Sequence, residues 1–179
     1  MNSLEGVMVV GLTGQTGAGK TTVCKIFSEN GFSIINADHV ARQVMEKGQP
    51  CLKEICEFFG KDILLENGIL DRPKLAGLVF TDKKKLELLN SITYPYITSE
   101  ILKTIRRLSF QGNKLILLDA PTLFESRADD FCELIISVIS RDNLRLERIV
   151  ERDKISRESA QYRICLLYTS PSPRDISGS

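Results

Sequence analysis

The run Gly14-Gln15-Thr16-Gly17-Ala18-Gly19-Lys20-Thr21 has residue types and spacing that read directly as chemistry. It satisfies G-x-x-x-x-G-K-[ST] in full. Glycines at 14, 17 and 19 let the backbone curl and aim its N–H groups at phosphate oxygens. A helix opening near Lys20 adds the positive end of its dipole. Lys20 then reaches the β- and γ-phosphates, and the Thr21 hydroxyl is placed to ligate Mg²⁺. The expected ligand is a nucleoside triphosphate with magnesium.

Two carboxylates are candidates for the rest of the chemistry. Asp38 lies in Asn36-Ala37-Asp38-His39, directly after a short apolar run. The carboxyl ends of parallel strands share one crevice, so Asp38 is expected opposite Lys20 and Thr21. There it can take the proton of an attacking hydroxyl and orient it toward the γ-phosphate. The same residue suits a helix N-cap, and both roles are compatible. His39 is expected in the first turn of that helix, at the surface. Asp119 ends a later apolar run, where a magnesium carboxylate would lie; a helix cap or turn is the other reading. Glu125 follows at the edge of a turn. Asp119-Ala120-Pro121-Thr122 lacks the glycine of the D-x-x-G of switch GTPases, and N-K-x-D is absent.

These residues need a frame. Continuous apolar runs over 7–12, 32–35, 115–118 and 134–139 read as strands covered on both faces. Helices are expected over 20–29, with Val23, Ile26 and Phe27 on one face, and over 40–46. Such alternation predicts a right-handed, doubly wound α/β fold with a parallel sheet. The long stretch between the second and third strands reads as helical. Leu52, Ile55, Cys56 and Phe59 form one stripe, ended by Gly60. Ile97, Ile101, Ile105 and Leu108 form another, with Pro95 expected to break the helix just before it. Such an insertion either binds a second substrate or covers a sheet edge.

Arg141, Arg145, Arg148 and Arg152 recur at steps of four, three and four and share one helical face. They form either a solvated face paired with Glu147 and Glu151 or a cationic flap over phosphates. Small proteins with this loop, a helical insertion and an arginine-rich flap are mostly kinases of small molecules.

Composition narrows the classes. The chain has 179 residues, enough for one domain with a proper core. Lys plus Arg is 24 and Asp plus Glu is 23, so the basic excess of a duplex-binding protein is missing, and no nucleic-acid partner is expected. No apolar run reaches a membrane span and the N-terminus has no signal-peptide pattern, so a cytoplasmic protein without a membrane partner is expected. Five cysteines without a C-x-x-C pair, beside one His, read as free thiols rather than a zinc site. Nothing in the pattern bears on oligomeric state.

Taken together, these motifs resemble the dephospho-CoA kinase family, from Val7 to about Ile164. Besides the P-loop, Asn36-Ala37-Asp38-His39-Val40-Ala41-Arg42 resembles the family's D-A-D-x-x-A-R. Leu89-Asn90-Ser91-Ile92-Thr93-Tyr94-Pro95-Tyr96-Ile97 resembles L-N-x-I-x-H-P-x-I. Asp119-Ala120-Pro121-Thr122-Leu123-Phe124-Glu125 resembles D-x-P-L-L-F-E, and Arg148-Ile149-Val150-Glu151-Arg152-Asp153 resembles the lid pattern R-x-x-x-R-D. The resemblance implies a three-layer P-loop fold and phosphorylation of the ribose 3′-hydroxyl of dephospho-CoA by ATP, the last step of coenzyme A biosynthesis. It makes Asp38 the base, places ATP on Gly17, Ala18, Gly19, Lys20, Thr21 and Thr22, and closes Arg148 and Arg152 over the transferring group. The helical insertion would hold the dephospho-CoA. Asn36 stands where the family has Asp, Tyr94 where it has His, Thr122 where Leu is common, and Arg145 where Gln is frequent.

The implied organisation is a core over 7–38 and 114–140, an acceptor-binding insertion over 39–113 and an incomplete lid over 141–164. Two other readings remain open: a P-loop kinase acting on a nucleoside or nucleotide, and a nucleotide-dependent binding protein. The segment 165–179 is Ser/Pro-rich, and its start, Cys165-Leu166-Leu167-Tyr168-Thr169-Ser170-Pro171, resembles a translated transposon adapter. The natural sequence is therefore expected to diverge near Ile164, with the rest of the lid, a further strand and the adenine-binding loop of the family beyond it. The four strands expected here are one fewer than in the family's sheet, which would leave an edge unpaired.

Overall fold

The computed structural model describes residues 6–166. Four strands, β1 (Met8–Gly14), β2 (Ser33–Asn36), β3 (Leu115–Asp119) and β4 (Leu134–Val138), form one sheet in the order β2-β3-β1-β4. All three pairings are parallel. Side chains of a strand alternate between faces. Val9, Ile116 and Leu118 accordingly enter the larger core, and Val10, Leu12 and Leu117 a second one on the other face. Burial on both faces is why these strands read as unbroken apolar runs. Along β4, Leu134 and Ile135 are exposed, which marks it as an edge strand among the described residues.

Helix α1 (Lys20–Glu29) covers the smaller core with Val23, Cys24 and Phe27. Ile26, expected on that face, is 52% exposed. The larger core is covered by α2 (Ala37–Val44), α3 (Pro50–Phe59), α4 (Arg72–Phe80) and α5 (Lys83–Phe110). The stripe of α3 ends where expected, at Gly60 with φ 82°.

The expected break at Pro95 does not occur. Helix α5 runs through it for 28 residues. Proline removes one ladder hydrogen bond and crowds the preceding turn. Against that cost, Ile92 and Thr93 before it and Ile97, Ile101 and Ile105 after it are all buried on one continuous core. Tertiary packing overrides the local preference.

The last elements are α6 (Asp142–Asp153) and α7 (Arg157–Leu166), joined by a small core of Leu146, Ile149, Ala160 and Ile164. The expectation of an adapter-like tail lies outside the described residues, apart from the end of α7. Among the described residues, no helix is long and apolar enough to cross a membrane.

Candidate active site

The carboxyl ends of β1, β2 and β3 open on one crevice. Strand register sets its floor: Leu12 and Asn36 are the neighbours of Asp119 on either side. The loop after β1 curls tightly. Gly14 has φ 145°, and a Cβ there would collide with the Val138 carbonyl. Gly17 has φ 79°, and its Cβ would lie 2.9 Å from the Arg145 carbonyl oxygen. Both positions therefore exclude a side chain for reasons of backbone conformation and close approach. The turn is closed by Ala18 N–H donating to the Gln15 carbonyl at 3.0 Å. Helix α1 then opens at Lys20, with Gly19 as its N-cap.

Lys20 Nζ is ion-paired with Asp119 Oδ1, and both side chains are largely shielded from solvent. The other carboxylate oxygen, Oδ2, accepts from Asn36 Nδ2 at 3.2 Å. Asn36 Oδ1 in turn accepts from His39 N–H at 2.8 Å and caps α2. The cap of this helix is thus Asn36, not Asp38. Asp38 stands in the first turn of α2, exposed, near the positive end of the helix.

Helix α6 lies against the loop from the other side. Arg141 is its N-cap residue. Arg145 is buried, with Nε donating to the Thr16 carbonyl at 3.1 Å and Nη1 to Asp142 at 2.9 Å. Arg148 Nη1 donates to the carbonyls of Gly17 and Ala18 at 3.2 and 3.1 Å. Arg152 pairs with Asp153 at 2.7 Å. Of the four arginines that spacing put on one face, Arg145 and Arg148 meet the phosphate loop, while Arg152 turns to Asp153 and Arg141 stands at the N-cap.

The resulting cavity holds about 570 Å³. Gly14, Gly17, Gly19, Lys20, Thr21, Asp38, Asp119, Arg148 and Arg152 all line it, together with Asn36 and Glu151. Of the residues singled out in the sequence, Ala18 is buried behind the loop and Thr22 stays outside the lining. Glu125 and His39 are outside it as well. Glu125 faces Tyr94, whose hydroxyl is pushed up by burial first and by that carboxylate second. Two contributors were missed in the sequence. Asn36 fits the N-cap signature and was findable that way; the clasp of Arg145 on Thr16 has no local signal.

The donor set also bears on magnesium. Among the described residues there is no group of three His, Cys, Asp or Glu able to cage an ion. Of the groups that line the crevice, Thr21 brings a hydroxyl beside the loop lysine and Asp119 a carboxylate at the end of β3, while Thr16, Asp38 and Glu151 add further oxygens around the wall. The first two suit Mg²⁺, which keeps several waters and binds through one or two protein oxygens plus phosphates.

A parallel sheet whose first strand feeds a glycine loop and a lysine-opened helix, with a helical cap and an arginine-bearing helix on that loop, defines a P-loop nucleoside-triphosphate-binding protein of the small-kinase kind. The family model for dephospho-CoA kinase matches residues 8–168. A dephospho-CoA kinase of Oryza sativa subsp. japonica is 42% identical over 156 residues, covering 87% of this chain and 68% of that protein. Among solved structures, TT1252 from Thermus thermophilus superposes with a TM-score of 0.77 at 26% identity, over 95% of this chain and 83% of that one. Dephospho-CoA kinase from Campylobacter jejuni superposes with a TM-score of 0.62 at 28% identity, over 89% and 80%. The chain belongs to the dephospho-CoA kinase family.

Proposed function

We propose that this protein transfers the γ-phosphoryl group of ATP to the ribose 3′-hydroxyl of dephospho-CoA, giving CoA and ADP. The observation that carries the reading is the convergence of Lys20, Thr21, Asp38, Asp119, Arg148 and Arg152 on one cavity. Membership of the family supplies the acceptor.

Each side chain then has a task. Loop N–H groups and Lys20 hold the β- and γ-phosphates, so the phosphorus stays in line with the acceptor. Asp38, exposed at the wall of the crevice, accepts the proton of the 3′-hydroxyl as the new O–P bond forms and the bond to the β-phosphate oxygen breaks. Magnesium, when bound, neutralises charge that builds on the β- and γ-oxygens. Thr21 and Asp119 are the residues that would hold it. Arg148 and Arg152, which line the same cavity, offer cations to the oxygens of the transferring group.

We place the helical segment over 39–113 as the acceptor-binding part and 141–164 as the lid. This is supported by α2 starting at the crevice with Asp38 and by α6 touching the phosphate loop. A reducing, cytoplasmic setting is supported by the free thiols of Cys24, Cys51, Cys56 and Cys132.

The test is ADP release from Mg-ATP with dephospho-CoA, adenosine or AMP as acceptor. Release dependent on dephospho-CoA alone is expected. Release with adenosine or AMP at a comparable rate would assign a nucleoside or nucleotide kinase instead.

A further inference from the structure

Arginines of α6 hold three consecutive carbonyls of the phosphate loop. Arg145 takes that of Thr16, and Arg148 takes those of Gly17 and Ala18. In a planar trans peptide the carbonyl and the next N–H point in opposite directions. Holding the Thr16 and Ala18 carbonyls toward α6 turns the N–H groups of Gly17 and Gly19 the other way. Those two glycines line the nucleotide cavity. Arg145, outside the cavity lining, thus acts from behind the loop to set the direction of its anion-binding donors, and Arg148 grips the next two carbonyls from the cavity wall.

The two arginines differ in their surroundings. Arg148 is exposed and lines the cavity, so it can exchange loop carbonyls for phosphate. Arg145 is 1% exposed, and its charge is met by one carboxylate, Asp142, that is itself 59% exposed. Its Nη2 is buried with no hydrogen-bond partner among the described residues. A buried, incompletely satisfied guanidinium costs stability, and an apolar side chain of similar volume often does better at such a place. Packing alone therefore gives no reason for an arginine at 145.

We propose that Arg145 is a positioning residue: through the Thr16 carbonyl it keeps the loop in its phosphate-binding shape, and its buried charge favours the bound nucleotide at the expense of the resting state. The proposal rests on the reading of 14–21 as the triphosphate site.

The experiment compares the full chain with Arg145→Met and Arg145→Gln. Mg-ADP affinity is measured by titration calorimetry, melting temperature without nucleotide, and KM for ATP and for dephospho-CoA. For Arg145→Met the expected melting temperature equals or exceeds that of the parent. Its Mg-ADP affinity should fall by about tenfold or more, the size of one charge-assisted hydrogen bond. KM for ATP should rise while KM for dephospho-CoA holds. Arg145→Gln, whose amide can still donate to Thr16, should recover part of the affinity. Affinity of Arg145→Met within about twofold of the parent, or a loss shared equally by both substrates, overturns the positioning role. A Met variant that fails to fold overturns the stability trade, and the Gln variant then decides the positioning role by the same affinity criterion. A parent that does not bind Mg-ADP would instead sink the reading of the loop itself.

Discussion

Lys20 and Asp119, 99 residues apart in sequence, are ion-paired at the bottom of the crevice, and Asn36 holds the second oxygen of the same carboxylate. In the proposed reaction both charged groups would change partner, Lys20 to phosphate and Asp119 to magnesium. The resting pair keeps each charge compensated in a shielded place.

Asp119→Asn separates these two roles. It removes the competitor of Lys20, so metal-free ADP should bind at least as tightly as to the parent. Turnover should fall by about a hundredfold or more, as for loss of one transition-state electrostatic contact. Calorimetry with a chelator and ADP release at rising Mg²⁺ check the two halves. Weaker metal-free binding would show that Asp119 supports the loop instead of competing for Lys20.

Asp38→Ala should cut turnover by roughly 10²–10⁴-fold, the range for a general base. ATP affinity should stay nearly unchanged, because Asp38 lies on α2, apart from the glycine loop and α1. The kcat and ATP-affinity pair is the measurement. Full activity in this variant would remove Asp38 from the chemistry.

Gly17→Ala should destabilise the fold by about 2 kcal/mol, from the left-handed backbone and the contact of its Cβ with the Arg145 carbonyl. Urea unfolding followed by circular dichroism checks this. The same substitution at Gly31, also with positive φ but with open space around the Cβ, should cost less. Equal losses would show that the approach of α6 adds nothing.

Burial pushes the Cys132 thiol up to about 12 and the Cys24 thiol to about 11, from an ordinary 9.0, with Asp129 and Asp119 adding to the two shifts. The sign follows from which state ionises first. The unfolded thiols lose protons near 9 while the folded ones keep them, so their contribution is intact below pH 9 and fades as pH climbs toward 11 and 12. Urea midpoints between about pH 8 and 11 should fall, and less steeply in Cys132→Ala. An unchanged slope in that variant would show that other groups carry the alkaline loss.

The sheet, the phosphate loop and the base candidate were legible in the sequence because each is local. Apolar runs report strands buried on both faces, and Gly14–Thr21 carries its own backbone requirements. Asp38 follows a strand and so falls at the common edge. Pro95 misled, since its local cost is offset by long-range packing of Ile92, Ile97 and Ile101 that no short window contains. The N-cap was displaced by two residues because Asn36 and Asp38 both fit the signature, and only the geometry at His39 N–H chooses between them.

By itself, then, the sequence determined the nucleotide loop, the parallel α/β frame and the family. Each depends on residue identity at fixed short spacing, which folding does not rearrange. Only the tertiary structure decided which charges meet: Lys20 with Asp119, Asn36 with Asp119, and Arg145 and Arg148 with the loop carbonyls. Those partners are 83 to 131 residues apart. Their meeting is set by strand register and by the packing of α6, two properties of the assembled core rather than of any segment of it.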